Sequence, residues 1–148
     1  MILPDVNLLV YATDQDSESY GPAKAWLETA LSDEQVFFSW HTITGFLRII
    51  TNPRASQYPL SIKVAVGIVD EWLSLDNTHI VNLEKKDWRV LSEVLVDAQA
   101  NGNLVMDAHL AALSTVCGAQ LATSDRDFAR FSGIKTVDPL STHKKSGR

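Results

Sequence analysis

The 148-residue sequence contains a single cysteine, Cys117, so no disulfide bond can form within the chain. A lone cysteine is typical of proteins in a reducing cytoplasm, where we expect this chain to act. No stretch is long and apolar enough to predict a transmembrane helix. Basic residues are also scarce, with 13 Lys and Arg against 18 Asp and Glu and a net charge of -5. This balance excludes a general electrostatic affinity for nucleic acid, so any phosphate contact must come from a local basic cluster.

The remaining composition, 45% hydrophobic and 21% charged, is typical of a globular protein with a hydrophobic core. Short apolar runs alternate with amphipathic helical segments along the whole chain. This alternation predicts an α/β fold, a three-layer α/β/α sandwich with a central, mainly parallel sheet. We expect residues 1–140 to form a single domain and residues 141–148 to form a disordered basic tail. The predicted strands are Ile2–Leu3, Val36–Trp40, His79–Leu83, Gln120–Thr123 and Lys135–Val137.

Acidic residues stand where predicted strands or loops lead into helices. Asp5 separates two apolar runs, Asp107 begins an Ala-rich helix, and Asp125 follows the strand Gln120–Thr123. Because such junctions lie at one edge of a parallel sheet, these carboxylates are expected to converge there. Converging carboxylates repel one another unless a cation lies among them, and Mg²⁺ and Mn²⁺ prefer oxygen ligands. A cation in this position can polarise a phosphodiester and activate water for its hydrolysis.

A second interpretation of the same acids stays open, since Asp is common at helix N-caps and in first turns. Each of Asp5, Asp107 and Asp125 can be such a residue, and spacing does not decide between the two interpretations. Asp127 is interpreted as an exposed residue or a local hydrogen-bond acceptor. His41, His79 and His109 show no metal-ligand spacing and are interpreted as structural or surface residues.

Four segments, in this order, resemble the PIN domain family and, more narrowly, its VapC toxins. They are DVNLLVYA from Asp5, FLRIITNPR from Phe46, MDAHLAAL from Met106 and LATSDRDFARF from Leu121. The resemblance implies a small α/β/α fold and ribonuclease activity that depends on Mg²⁺ or Mn²⁺. It also implies an RNA substrate, neutralisation by a cognate VapB-type antitoxin, and a homodimer, which the apolar residues of the predicted helix from Ser61 to Leu75 favour as well.

The resemblance also assigns roles to individual residues. Asp5, Asp107 and Asp125 match the family's first, third and fourth acids, and Thr123 matches the hydroxyl residue that precedes the last of them. Arg48 matches the arginine of the family's Glu-x-x-Arg element. The predicted catalytic and metal-binding residues are therefore Asp5, Asp107 and Asp125, and the predicted nucleic-acid-binding residues are Arg48, Thr123 and Arg126.

The family's second acid is missing from this sequence. Its position, three residues before Arg48, is Gly45, and no carboxylate occurs between Glu34 and Asp70. One alternative is therefore a weakly active or inactive PIN-like module that binds RNA or protein. Another is a receiver-like signalling domain that binds Mg²⁺, although no Lys closely follows Thr123 as that class requires.

Overall fold

Five short strands form the centre of the computed structural model, which describes residues 1–141. The sheet order is β3-β2-β1-β4-β5, and every neighbouring pair is parallel. This arrangement confirms the predicted parallel sheet. The strands are β1 (Ile2–Pro4), β2 (Val36–Phe38), β3 (Thr78–Ile80), β4 (Gln120–Ala122) and β5 (Thr136–Val137).

Six α-helices and two 3₁₀ helices connect these strands. The α-helices are α1 (Val6–Thr13), α2 (Tyr20–Asp33), α3 (Trp40–Ile50), α4 (Ile62–Leu73), α5 (Trp88–Asp97) and α6 (Leu104–Cys117). The 3₁₀ helices are Lys85–Asp87, before α5, and Arg126–Arg130, between β4 and β5.

Two hydrophobic clusters lie on opposite faces of the sheet. Helices α1 to α4 pack on one face, where Ile2 of β1 joins a cluster that includes Phe46 and Trp72. Helices α5 and α6 pack on the other face, where Leu3 joins a cluster that includes Phe128. Since successive strand residues point to opposite faces, Ile2 and Leu3 of β1 each pack against a different helical layer. The predicted three-layer α/β/α sandwich is thereby confirmed.

The strand order reverses direction between β1 and β4. From β1 the chain builds outward to β2 and β3 on one side, and it then crosses over to β4 and β5 on the other. At the carboxyl ends of β1 and β4 the backbone N–H of Asp5 donates a 2.9 Å hydrogen bond to the carbonyl of Ala122. Open parallel sheets bind ligands at such a reversal, so the residues that follow these two strands are candidates for function.

The second strand is shorter than the sequence predicted. It ends at Phe38, and Trp40, predicted to end that strand, is the first residue of α3. The reason is Ser39, whose Oγ accepts a 3.0 Å hydrogen bond from the backbone N–H of Thr42 and so caps the helix.

No helix within residues 1–141 combines the length and the apolar character that crossing a membrane requires. From Thr142 onward, the tail that was predicted to be disordered lies outside the described residues. The single domain over residues 1–140 stays a prediction.

Candidate active site

Asp5 lies at the carboxyl end of β1 with only 8% of its surface exposed. It occupies the N-cap position of α1, but its side chain makes no capping hydrogen bond. Instead, its Oδ2 accepts a 2.9 Å hydrogen bond from Oγ1 of Thr123, which follows β4. Burial raises the pKa of Asp5, repulsion from Asp125 adds to the rise, and the Thr123 hydrogen bond opposes it. The helix-cap interpretation therefore does not account for this buried carboxylate.

Asp125 is fixed by the turn that follows β4. Its backbone N–H donates a 3.0 Å hydrogen bond to Oγ1 of Thr123, so one hydroxyl connects the Asp5 side chain with the Asp125 backbone. Oδ1 of Asp125 accepts a 2.9 Å hydrogen bond from the backbone N–H of Asp127 and caps the 3₁₀ helix. Asp125 is thus an N-cap, as one interpretation of the sequence proposed, and it still points its carboxylate toward other acids.

Asp107 lies in the first turn of α6, in the helical layer on the same face of the sheet as α5. Partial burial raises its pKa to about 6, and repulsion from Asp125, Asp5 and Asp127 contributes to the rise. The carboxylates of Asp5, Asp125 and Asp127 are therefore near enough to Asp107 to make its ionisation less favourable.

The closest group of carboxylates includes Asp127, which was not among the predicted site residues. Oxygen atoms of Asp107, Asp125 and Asp127 lie within 4.8 Å of one another. Asp127 is exposed, as expected, but the short turn after β4 brings it beside Asp125. The Asp-x-Asp spacing at the start of this turn is the signal that the sequence offered. Asp5 is not part of this closest group.

A cleft of about 360 Å³ opens beside the acids, between α1, α3 and α6. Asp5 and Asp107 line it together with Gly45 and Arg48 of α3. The position of the missing acid therefore does face this cleft. A larger groove of about 430 Å³ lies between α1, α2 and α4, but it contains none of these four carboxylates. The smaller cleft is therefore set apart by its place beside the carboxylates that follow β1 and β4, and not by its volume.

Of the three predicted nucleic-acid-binding residues, two are exposed and one is buried. Arg48 is exposed and lines the cleft, whereas Thr123 is buried behind Asp5 and holds the carboxylate. Arg126 is exposed on the 3₁₀ helix. Within residues 1–141 neither arginine forms an ion pair, so both guanidinium groups are available to phosphate.

The residues of this site fit a hard divalent cation. The donors are carboxylate oxygens, the ligand type that Mg²⁺ and Mn²⁺ prefer. Burial raises the pKa of Asp107, repulsion from the neighbouring acids adds to the rise, and no Lys or Arg within residues 1–141 forms an ion pair with Asp107, Asp125 or Asp127. A cation among them relieves this repulsion.

Comparison with known proteins gives consistent matches over most of the chain. The family model described as PIN domain matches residues 2–134. Ribonuclease VapC37 of Mycobacterium tuberculosis is 34% identical over 140 residues, which cover 94% of this chain and 97% of that protein. Ribonuclease VapC48 of the same organism is 36% identical over 139 residues, which cover 93% and 96%.

Solved structures show the same fold at lower sequence identity. One example is the crystal structure of VapBC2 from Rickettsia felis bound to a DNA fragment from its promoter. A chain of that structure superposes with a TM-score of 0.65 at 18% identity, covering 93% of this chain and 98% of its own length.

Proposed function

This chain belongs to the PIN domain family and, within it, to the VapC ribonucleases of toxin–antitoxin pairs, and we propose that it is an RNA endonuclease dependent on Mg²⁺ or Mn²⁺. The observation that carries the metal dependence is the group of carboxylates from Asp107, Asp125 and Asp127, with oxygens within 4.8 Å of one another. We assign Asp5, Asp107 and Asp125 as catalytic and metal-holding residues and add Asp127 as a further ligand.

The protein supplies orientation and charge around the reacting phosphate. When bound, a divalent cation polarises the phosphodiester and lowers the pKa of an attacking water. Thr123 holds the Asp5 carboxylate through a 2.9 Å hydrogen bond, and the turn at Asp125 fixes a second carboxylate through its 2.9 Å bond from Asp127. Arg48, on the cleft wall formed by α3, offers a guanidinium to the RNA phosphate.

The proposed partners follow from the same charges. We assign a VapB-type antitoxin that places a basic side chain near Asp5 and Asp107, where it neutralises the acids and competes with the cation. The VapBC2 structure contains a toxin and its antitoxin, which supports this kind of partner. We also assign a homodimer, for which α4 offers exposed apolar side chains at Ile62 and Val66.

Cleavage of RNA by the purified chain tests the proposal. We expect cleavage with Mg²⁺ or Mn²⁺ and none with EDTA, and sequencing of RNA ends after induction in cells identifies the target. Cleavage that persists in EDTA would contradict the metal dependence. No cleavage with either cation would favour the inactive binding module, which no observation now supports. The family match decides against a receiver-like domain.

A further inference from the structure

Two histidines from distant parts of the sequence meet between α3 and α6. The rings of His41 and His109 pack edge-to-face, with centroids 5.8 Å apart and planes at 80°. Their spacing in the sequence gave no sign of a metal site, and only the packing of the two helices brings them together. The pair is not part of the carboxylate group, and it offers nitrogen donors where that group offers oxygen.

His109 has a buried nitrogen without a partner in the protein. Its Nδ1 is the one buried side-chain nitrogen or oxygen within residues 1–141 that makes no hydrogen bond. Buried polar atoms almost always have a partner, and an unpaired one indicates a bound water or ion. His41 contacts this ring, and its own ring also makes no hydrogen bond within residues 1–141. Both imidazoles therefore have nitrogen atoms free for a ligand.

The separation of the two rings fits one shared cation. A Zn–N bond of about 2.0–2.1 Å places each imidazole centroid roughly 3.2 Å from the ion. Two rings bound at a tetrahedral angle then have centroids about 5.2 Å apart, and the upper limit is about 6.4 Å, when they lie on opposite sides of the ion. The observed 5.8 Å lies between these values. The helices α3 and α6 thus already hold the rings at a suitable separation.

Nitrogen donors select a different metal from the carboxylates. Imidazole suits Zn²⁺ and related transition-metal ions, whereas Mg²⁺ prefers oxygen ligands. His41 is partly exposed and lines the cleft, so an ion can reach the pair from the cleft, and water can complete its coordination. Because α3 and α6 form two of the cleft walls, an ion between these rings would fix the distance between those walls.

We propose that His41 and His109 together bind one Zn²⁺ or a similar transition-metal ion, which links α3 to α6. This site is separate from the carboxylates that hold the hard cation. The inference goes beyond the proposed ribonuclease function and does not depend on it, since no step of hydrolysis passes through the histidine pair. Experiments without RNA can therefore test the site on the full chain.

Calorimetric titration with Zn²⁺ in excess Mg²⁺ tests the site while Mg²⁺ competes for the carboxylates. We expect Zn²⁺ affinity to fall at least about tenfold in His41→Phe, since even residues that only support a metal ligand change affinity by about 10–100-fold. Phe keeps a ring beside His109 and removes the nitrogens. The matched control is His79→Phe, because His79 also packs edge-to-face, against Phe37, with centroids 5.5 Å apart. Unchanged affinity in His41→Phe, or an equal loss in His79→Phe, would overturn the proposal.

Nuclear magnetic resonance of the imidazole nitrogens tests the ligands in the unsubstituted chain. Zn²⁺ is added to ¹⁵N-labelled protein in excess Mg²⁺, and single histidine variants assign the signals. We expect the ring signals of His41 and His109 to shift together, those of His79 to stay, and EDTA to reverse the change. The same shifts are expected in Asp107→Asn, because the acids are not the ligands. A shift of His41 alone, or loss of the shifts in Asp107→Asn, would overturn the proposal.

Discussion

Thr123 holds both the Asp5 side chain and the Asp125 backbone in place. Its hydroxyl donates to Asp5 at 2.9 Å and accepts from the Asp125 backbone at 3.0 Å, and the residue is only 5% exposed. In metal sites, residues that hold the ligands contribute strongly to affinity although they do not touch the metal. The sequence assigned Thr123 to nucleic acid, whereas its burial favours a positioning role.

Replacing Thr123 by Val should damage both stability and metal binding. The change leaves a buried carboxylate and a backbone N–H without their partner, which costs about 1–3 kcal/mol of unfolding free energy. Mn²⁺ affinity should fall about 10–100-fold. Urea unfolding in EDTA and calorimetric titration measure the two effects. Thr123→Ser keeps the hydroxyl and should behave like the original chain, and a Val variant with unchanged Mn²⁺ affinity would contradict the positioning role.

Asp5→Asn and Asp107→Asn should each abolish RNA cleavage while the fold survives. Each change removes a negative charge at nearly constant volume. Residues that only support a metal ligand contribute up to roughly 100-fold to activity, so loss of a ligand itself should lower activity by more than this. Cleavage assays measure the loss, and circular dichroism checks folding. Asp97→Asn, at an exposed acid of α5, is the control. Full activity in either folded site variant would refute its assignment.

The raised pKa of Asp107 predicts a pH dependence of stability in EDTA. Its carboxyl has a pKa of about 6 in the folded protein against 3.8 ordinarily, so the folded state binds the proton more tightly than the unfolded chain. The contribution of this group to unfolding free energy therefore decreases as pH rises from about 4 to about 6, and it stays low above that range. Urea unfolding across this range should show that Asp107→Asn gains stability relative to the original chain as pH rises. A constant difference at every pH would contradict the shift.

At the level of elements, α3 carries the Gly45 position at which this site lacks the family's second acid. Its N-terminus is set by Ser39, and the face that carries His41, Gly45 and Arg48 turns toward Asp5 and Asp107. The alternation of apolar runs with amphipathic segments predicted helices between the strands. Which face meets the acids depends on how α3 packs against α1, where Gly45 lies close to Val6.

Gly45→Glu should tighten Mn²⁺ binding by adding a carboxylate on the cleft wall. Replacing Gly within a helix also favours folding by roughly 0.5–1 kcal/mol, although a Cβ would lie 3.2 Å from Val6 Cγ2 and offset part of this gain. Gly45→Ala introduces the same Cβ without the charge and separates the two effects. Calorimetric titration with Mn²⁺ measures the affinities. Equal affinity in the Glu and Ala variants would show that a side chain at position 45 does not reach the metal.

At the level of the whole molecule, the exposed apolar surface of α4 lies outside the acidic cleft. Ile62 is 60% exposed and Val66 is 41% exposed, and their spacing of four residues places them on one face. Such a surface favours contact with a second copy of the chain. The cleft lining does not include these two residues, so a dimer through α4 leaves the lining free for RNA or antitoxin.

The double variant Ile62→Glu/Val66→Glu should weaken the proposed homodimer at least tenfold. Burial of each side chain contributes about 1.5–3 kcal/mol, and the new carboxylates would also repel across the contact. Size-exclusion chromatography with light scattering, over a dilution series, measures the dissociation. Trp88→Glu/Val96→Glu is a matched control on α5, where these side chains are 62% and 73% exposed. A dimer that the α4 variant leaves intact would refute this interface.

The sequence by itself determined the layers of the fold and the positions of Asp5, Asp107 and Asp125 near helix starts, because hydrophobic periodicity and strand–helix alternation are local properties. Only the tertiary structure decided which acids meet. It directs the Asp5 side chain, which makes no capping bond, into a hydrogen bond with Thr123, 118 residues further along the chain. It also brings Asp127 within 4.8 Å of Asp107 and Asp125, and it packs His41 against His109. These contacts join segments distant in the chain, and they depend on strand order and helix packing, which no local pattern of residues encodes.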